Sequence, residues 1–381
     1  MKMRSMKIAI LVLLFSTHVF AADKPVLVIN GKPLDLPQYE DYGKNERPNY
    51  EPEFNIQFSP KDEIMLSFFQ RGKKPVLKIK DSQETSGLFF VTLFLSKEDG
   101  KLINKAEWPA AGELDSSERV RYGSRIYPLP DNGYVGMFNK RLQVLNSSLN
   151  AIHDRLLERL PEKKYVYEIY APSHGTFFAL MQGYKRFLGE NDIIDYVTFK
   201  TVDRVSDRIV DIWEDKLLLV GFSGNKINYL FEKRIGSSSE GFRLKIENFE
   251  DAKFAHNGAA IVLSYRGQFP PFAQHYWFTI ENRKVGNPVF VEGEYVNRLV
   301  VARAAPVFAV SASKSRLFDR GASGKINVYD INTQQMLLQT KTYNDDYDYA
   351  LSSDGRSLSV FLYEKRKIEI YKVPAPVAKK K

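Results

Sequence analysis

The 381-residue chain is 44% hydrophobic and 13% aromatic, which excludes general disorder and is enough to bury a large core. It has no cysteine, which excludes thiol nucleophiles, thiolate zinc sites, disulfides and covalently attached haem. Of the formal charge of +9, three charges lie at Lys2, Arg4 and Lys7 and three at Lys379, Lys380 and Lys381; removing these six leaves +3 for the body, too small a surplus to argue for nucleic acid.

Residues 1–21 read as a signal peptide. A positive n-region precedes the short apolar run Ile8–Phe15, and Val19-Phe20-Ala21 supplies the small-residue cleavage spacing. The expected mature chain begins at Ala22 or Asp23 and is periplasmic or secreted. A retained anchor is the competing reading, but the run is shorter than the roughly 20 residues that cross a bilayer as a helix. No later stretch is apolar enough to span. Residues 22–53 divide into a short apolar strand, Pro25–Ile29, ended by the turn pair Asn30-Gly31, and an extended connector rich in Pro, Tyr, Asp, Glu and Asn.

From Phe54 to Val373 one unit recurs. Polar turns separate strand-like runs at Ser59–Asp62, Pro130–Gly133, Ser173–Gly175, Glu214–Lys216, His256–Gly258, Ala304–Pro306 and Ser352–Gly355. Gly133 and Gly175 lie 42 positions apart, Gly175 and Gly258 lie 83 apart, and Gly258 and Gly355 lie 97 apart, the latter two each with one turn between. A period in the forties built of short strands is the spacing of a propeller blade. The expected blades cover residues 54–109, 120–160, 165–200, 205–246, 252–293, 296–343 and 347–373. In the first, Leu88–Leu95 and Lys101–Trp108 form a hairpin; in the third, Gly189–Asp192 is expected to be the outer turn. Residues 148–160 carry apolar residues at a helical period before Pro161, and a short helix is favoured there over an outer strand. The last blade has three strands, so Pro25–Ile29 is expected to pair with it as the fourth. The fold class is therefore all-β: a single propeller, expected to be seven-bladed with six or eight open, closed by the N-terminal strand and followed by a basic disordered tail at 374–381.

The stretch from Gly324 to Val373 carries a family likeness. Alternating runs end in Tyr329-Asp330 and Tyr371-Lys372, and Asp354-Gly355 makes a tight turn before the run Ser357–Tyr363. In this the chain resembles exported bacterial WD-repeat and YVTN-like β-propellers. The resemblance implies the fold, and it implies loops on one face that form a broad recognition surface.

Catalytic templates mostly fail. Gly221-Phe222-Ser223-Gly224 lacks the spacing of a nucleophile elbow, and Gly321–Lys325 lacks that of a phosphate loop. His174 and His256 occupy equivalent turns and so should share one face; a metal or acid–base site is weighed there against plain turn chemistry, which is favoured. Acidic residues at 344–348 have calcium-ligand chemistry but lack the following turn glycine, and a solvated loop is favoured. A protruding aromatic loop is expected where two prolines interrupt the fifth blade, and Tyr265, Arg266, Phe269, Phe272, His275 and Trp277 are its candidate binding residues. The alternative is that Phe269 and Phe272 tuck over a neighbouring blade. No catalytic residue, metal ligand or cofactor is assigned. The expected function is a non-catalytic binding scaffold of the cell envelope, a monomer whose partner is an envelope or extracellular protein or polymer. The alternative is a propeller enzyme of quinoprotein-dehydrogenase-like or lactonase-like type, although Trp108, Trp213 and Trp277 do not supply the repeated tryptophan signature of the former.

Overall fold

The computed structural model describes residues 23–37, 54–71, 88–109, 125–138, 141–157, 166–172, 174–185, 188–223, 226–246, 249–265, 272–279, 284–285, 289–292, 295–314, 323–344 and 347–376. Among these residues the strands form seven antiparallel sheets of one all-β propeller, and no helix is long and apolar enough to cross a membrane.

Strand β1 (Leu27–Asn30) precedes the repeats. The first sheet holds β2 (Asn55–Phe58), β3 (Ile64–Arg71), β4 (Leu88–Leu95) and β5 (Leu102–Pro109). The second holds β6 (Arg125–Pro128), β7 (Tyr134–Phe138), β8 (Arg141–Leu145) and β9 (Ala151–Leu156). The third holds β10 (Val166–Tyr170), β11 (Phe177–Lys185), β12 (Leu188–Asp195) and β13 (Lys200–Val205). The fourth holds β14 (Arg208–Trp213), β15 (Lys216–Ser223), β16 (Lys226–Arg234) and β17 (Glu240–Lys245). In the fifth, β18 (Phe249–Ala255), β19 (Ala260–Tyr265) and β20 (Phe272–Thr279) are followed by β21 (Lys284–Val285) and β22 (Val289–Glu292), both paired with β20. The sixth holds β23 (Tyr295–Val301), β24 (Val307–Lys314), β25 (Ser323–Asp330) and β26 (Met336–Gln339). The seventh holds β27 (Tyr347–Leu351), β28 (Ser357–Leu362) and β29 (Lys367–Lys372), with β1 antiparallel to β29 so that Leu27 faces Ile370 and Ile29 faces Ile368.

Strand periodicity explains the stacking. Successive side chains of a strand point to opposite faces, so a strand buried on both sides reads as a continuous apolar run. Leu217 and Leu219 of β15 pack with Ile209, Ile212 and the third sheet, whereas Leu218 and Val220 pack with the fifth. Val307 and Ala309 of β24 join the seventh sheet, and Phe308 and Val310 join the fifth. The same division recurs at the interface of β7 with β3 and β4, where Tyr134 and Phe138 meet Met65, Phe90 and Phe94. Between the seventh and first sheets, Ile29, Phe361, Ile368 and Ile370 pack with Phe54, Ile56, Ile64 and Leu66. First strands touch from β10 to β14, β18, β23 and β27 in turn and from β27 to β2, which sets these strands nearest the axis.

Two local expectations are corrected. Residues 151–156 are the edge strand β9, not a helix. Its pattern alternates, with Ile152 and Leu156 on the exposed face and His153 opposite Val144, because pairing to β8 outweighs the helical spacing of its leucines. Gly189–Asp192 is likewise no turn. It lies inside β12, where Asn191 and Asp192 pair with Met181 and Leu180. The connector at its start is not wholly extended, since Lys32–Leu34 form a single 3-10 turn; residues 38–53 lie outside the described residues.

Buried aspartates on first strands link sheets. Asp348 of β27 accepts from the Tyr349 N–H at 2.9 Å and, across the sheet gap, from the Ile56 N–H at 3.0 Å. Asp211 of β14 repeats this, accepting from Ile212 N–H at 2.9 Å and Phe254 N–H at 2.7 Å. Asp348 is thus a structural carboxylate within a strand instead of a solvated loop or calcium ligand; Asp345 and Asp346 lie outside the described residues. Removing a buried acceptor strands its donors, so Asp348→Ala is expected to cost about 1–3 kcal/mol, read as a lower denaturation midpoint with the slope unchanged. A stability equal to wild type would refute the linking role.

A third buried carboxylate joins the sixth and seventh sheets. Glu369 accepts from Lys341 Nζ at 2.6 Å, Tyr371 Oη at 2.8 Å and Tyr343 Oη at 3.1 Å. Burial pushes the Glu369 carboxyl up, but the bonds from Lys341, Tyr371 and Tyr343 overcome this and hold it below its ordinary range. A depressed carboxylate stabilises the fold above its unfolded pKa, near 4.3, and that contribution is lost as pH falls through the folded value. Glu369→Gln should therefore lower stability at neutral pH by about 1.5 kcal/mol or more and flatten the acid limb of the stability profile. Parallel acid limbs for variant and wild type would exclude it.

Candidate functional site

The turns that join first to second strands converge at one end of the seven sheets. They enclose a cavity of about 320 Å³ on the axis, and every sheet contributes to its lining. Ser59 and Pro60 come from the first sheet and Pro128 and Pro130 from the second. His174, Trp213 and Asn257 come from the third, fourth and fifth, and Arg303 and Ser353 from the sixth and seventh.

The turns are fastened to each other by backbone. Glu214 N–H donates to the His174 carbonyl at 2.8 Å, Asn257 N–H to the Arg303 carbonyl at 2.9 Å, and Ala304 N–H to the Ser353 carbonyl at 2.9 Å. Close approach requires glycine at two of them. Gly175 has φ +94°, and a Cβ there would stand 2.6 Å from Glu214 Cα; Gly258 has φ +73°, and its Cβ would stand 2.5 Å from Trp213 Nε1. Trp213 is thereby clamped between Gly258 and the edge of the His174 ring, whose centroid lies 5.1 Å away.

Electrostatics are mixed. His174 Nε2 lies 3.9 Å from Glu214 Oε1, and both side chains are about half exposed. That distance is an ion-pair contact when the imidazole is protonated and is too long for an orienting hydrogen bond. Burial pushes the Asp211 carboxyl up, opposed by Lys253 and by the Phe254 and Ile212 N–H groups. Burial lowers the Arg303 guanidinium, and Asp211 pulls it back up. Lys253 Nζ reaches the Val210 carbonyl at 3.0 Å and lies 3.9 Å from Asp251. Among the described residues, no group of three or more His, Asp or Glu is placed to hold a metal ion.

The two sequence-derived groups of site residues separate. His174 lines the cavity, and His256 sits in the equivalent turn of the fifth sheet beside cavity-lining Asn257, with φ 51°. Tyr265 ends β19 and Phe272 begins β20, at the opposite end of that sheet. His275 and Trp277 are inside β20, facing Ser264 and Val262 in register, so they belong to the sheet and not to a loop. Arg266 and Phe269 lie outside the described residues. Trp213, Asn257, Arg303 and Asp211 were not singled out from sequence. Three of them adjoin or lie in recognised turns, so their neighbourhood was visible while their inward direction was not.

No protein-family model and no curated protein matches the chain. Solved structures do resemble it. The C-terminal WD40 domain of Sif2 is 13% identical, covering 84% of this chain and 95% of that one, with a TM-score of 0.50. A chain of a mitotic checkpoint complex is 10% identical over 98% and 99%, with a TM-score of 0.54. A chain of Kuenenia stuttgartiensis hydrazine synthase is 11% identical over 87% and 99%, with a TM-score of 0.55. At these identities the likeness is one of fold: a β-propeller with WD40 neighbours.

Gly258→Ala tests the clamp on Trp213. Overpacking beside the indole should cost about 1–3 kcal/mol and shift the tryptophan emission of the folded protein. Unchanged stability and emission would show that the turn tolerates a side chain and does not hold the ring.

Proposed function

We propose that this chain is an exported, non-catalytic binding scaffold of the cell envelope, a seven-bladed propeller closed by β1 that presents its axial cavity and surrounding turns to a partner. The observation that carries this reading is that all seven sheets send residues to one cavity, and several of the turns around it are joined by backbone hydrogen bonds. Ligand sites form where pre-formed concave surfaces gather a few polar groups among apolar walls, and here prolines, Val301, Leu351 and Trp213 alternate with Arg303, Asn257 and His174. Closure is supported by the β1–β29 pairing and by the apolar packing of the seventh sheet on the first. Export is supported by the charged, apolar and small-residue order of residues 1–21.

A photo-reactive amino acid placed in living cells tests the reading. Positions Lys61 and Ala304 on the rim should yield a discrete cross-linked partner, and Ile103 on an outer strand should not. The N-terminus of the purified protein should be Ala22 or Asp23. Cross-linking confined to Ile103, or a stoichiometric chromophore or metal in the native mass, would replace the scaffold with another function.

A further inference from the structure

Among the described residues of the rim, Arg303 brings a cation to the cavity. Arg303 lies between β23 and β24, half-buried, and lines the cavity. Its carbonyl accepts from Asn257 N–H, but among the described residues its guanidinium makes no hydrogen bond and no ion pair. The nearby carboxylate is already engaged: Asp211 accepts from Phe254 N–H at 2.7 Å and Ile212 N–H at 2.9 Å, and acts on Arg303 through its field. A guanidinium carries five donors in a planar fork matched to a carboxylate, and that of Arg303 is open to the cavity it lines.

We propose that the axial cavity is a carboxylate-binding site, in which Arg303 pairs with the carboxylate of a small organic acid and the Trp213–His174 corner receives its flat body. This rests on the axial cavity being the binding face. Trp213 and His174 meet edge to face at 5.1 Å, and the prolines of the first and second sheets complete an apolar wall suited to a ring. The volume of about 320 Å³ is near the lower end of ligand pockets, which fits a small acid and not a folded domain. Charge selects further. Glu214, 3.9 Å from His174 Nε2, adds negative charge beside the ring corner, so a single carboxylate is favoured over a compact dianion.

The test uses the folded full-length mature protein and three probes: phenylacetate, its neutral amide phenylacetamide, and inorganic phosphate. Calorimetric titration should give one site for phenylacetate, with the amide and phosphate weaker by about 10-fold or more. Arg303→Gln should weaken phenylacetate by a similar factor while melting as wild type does. Should that variant not fold, phenylglyoxal labelling of wild type decides instead: Arg303 modification, read by peptide mass spectrometry, should be slowed by phenylacetate and not by phenylacetamide. Equal binding of acid and amide, phosphate binding as tight as phenylacetate, or unprotected Arg303 would overturn the proposal. Absence of binding by every probe would overturn it too, and would leave the scaffold standing if rim positions still cross-link a partner. Phenylacetate binding with no cross-linked partner would uphold the site and remove the macromolecular scaffold.

Discussion

Each sheet of this protein is apolar on both faces, and the rest of the structure follows from that. A two-faced apolar sheet cannot rest against solvent on either side, so it is stable between two others. The run Leu217-Leu218-Leu219-Val220 shows the constraint at single-residue scale, since alternate side chains serve different interfaces. Ile29, Ile368 and Ile370 pack in one cluster with Phe54, Ile56 and Leu66. The outermost strands escape the demand on one side, which is why β5, β9 and β13 read exposed–intermediate and carry exposed Ile103, Ile152 and Val202.

Stacking also brings first strands together, and there polar contacts are added to the apolar packing. Asp211 and Asp348 supply acceptors across two of the gaps. Beyond the strand ends, several turns reach each other by main-chain bonds, while Ser59, Asp131 and Ser352 side chains accept from backbone N–H groups within their own turns. The cavity lies among these turns, and Arg303, Asn257 and His174 line it. A likeness in fold to solved structures at 10–13% identity, covering 84–98% of this chain, agrees with a fold defined by this geometry.

The amino-acid sequence by itself determined the strands, the polar turns between them and their period, because alternation, turn chemistry and repeat spacing are local properties of the chain. It marked the Ser59, Pro130, His174, Glu214, His256, Ala304 and Ser352 turns, all of which join first to second strands in the structure. Tertiary structure alone decided the rest. Residues 151–156 carry a helical spacing that pairing with β8 overrides, and Gly189–Asp192 look like a turn until β11 and β13 flank them. Asp348 looked like part of an acidic loop, yet its carboxylate answers Ile56, 292 positions away in the chain. His174, Trp213, Asn257 and Arg303 meet for the same reason: each sits at one end of a different sheet, and only the stacking of those sheets brings the ends to one axis.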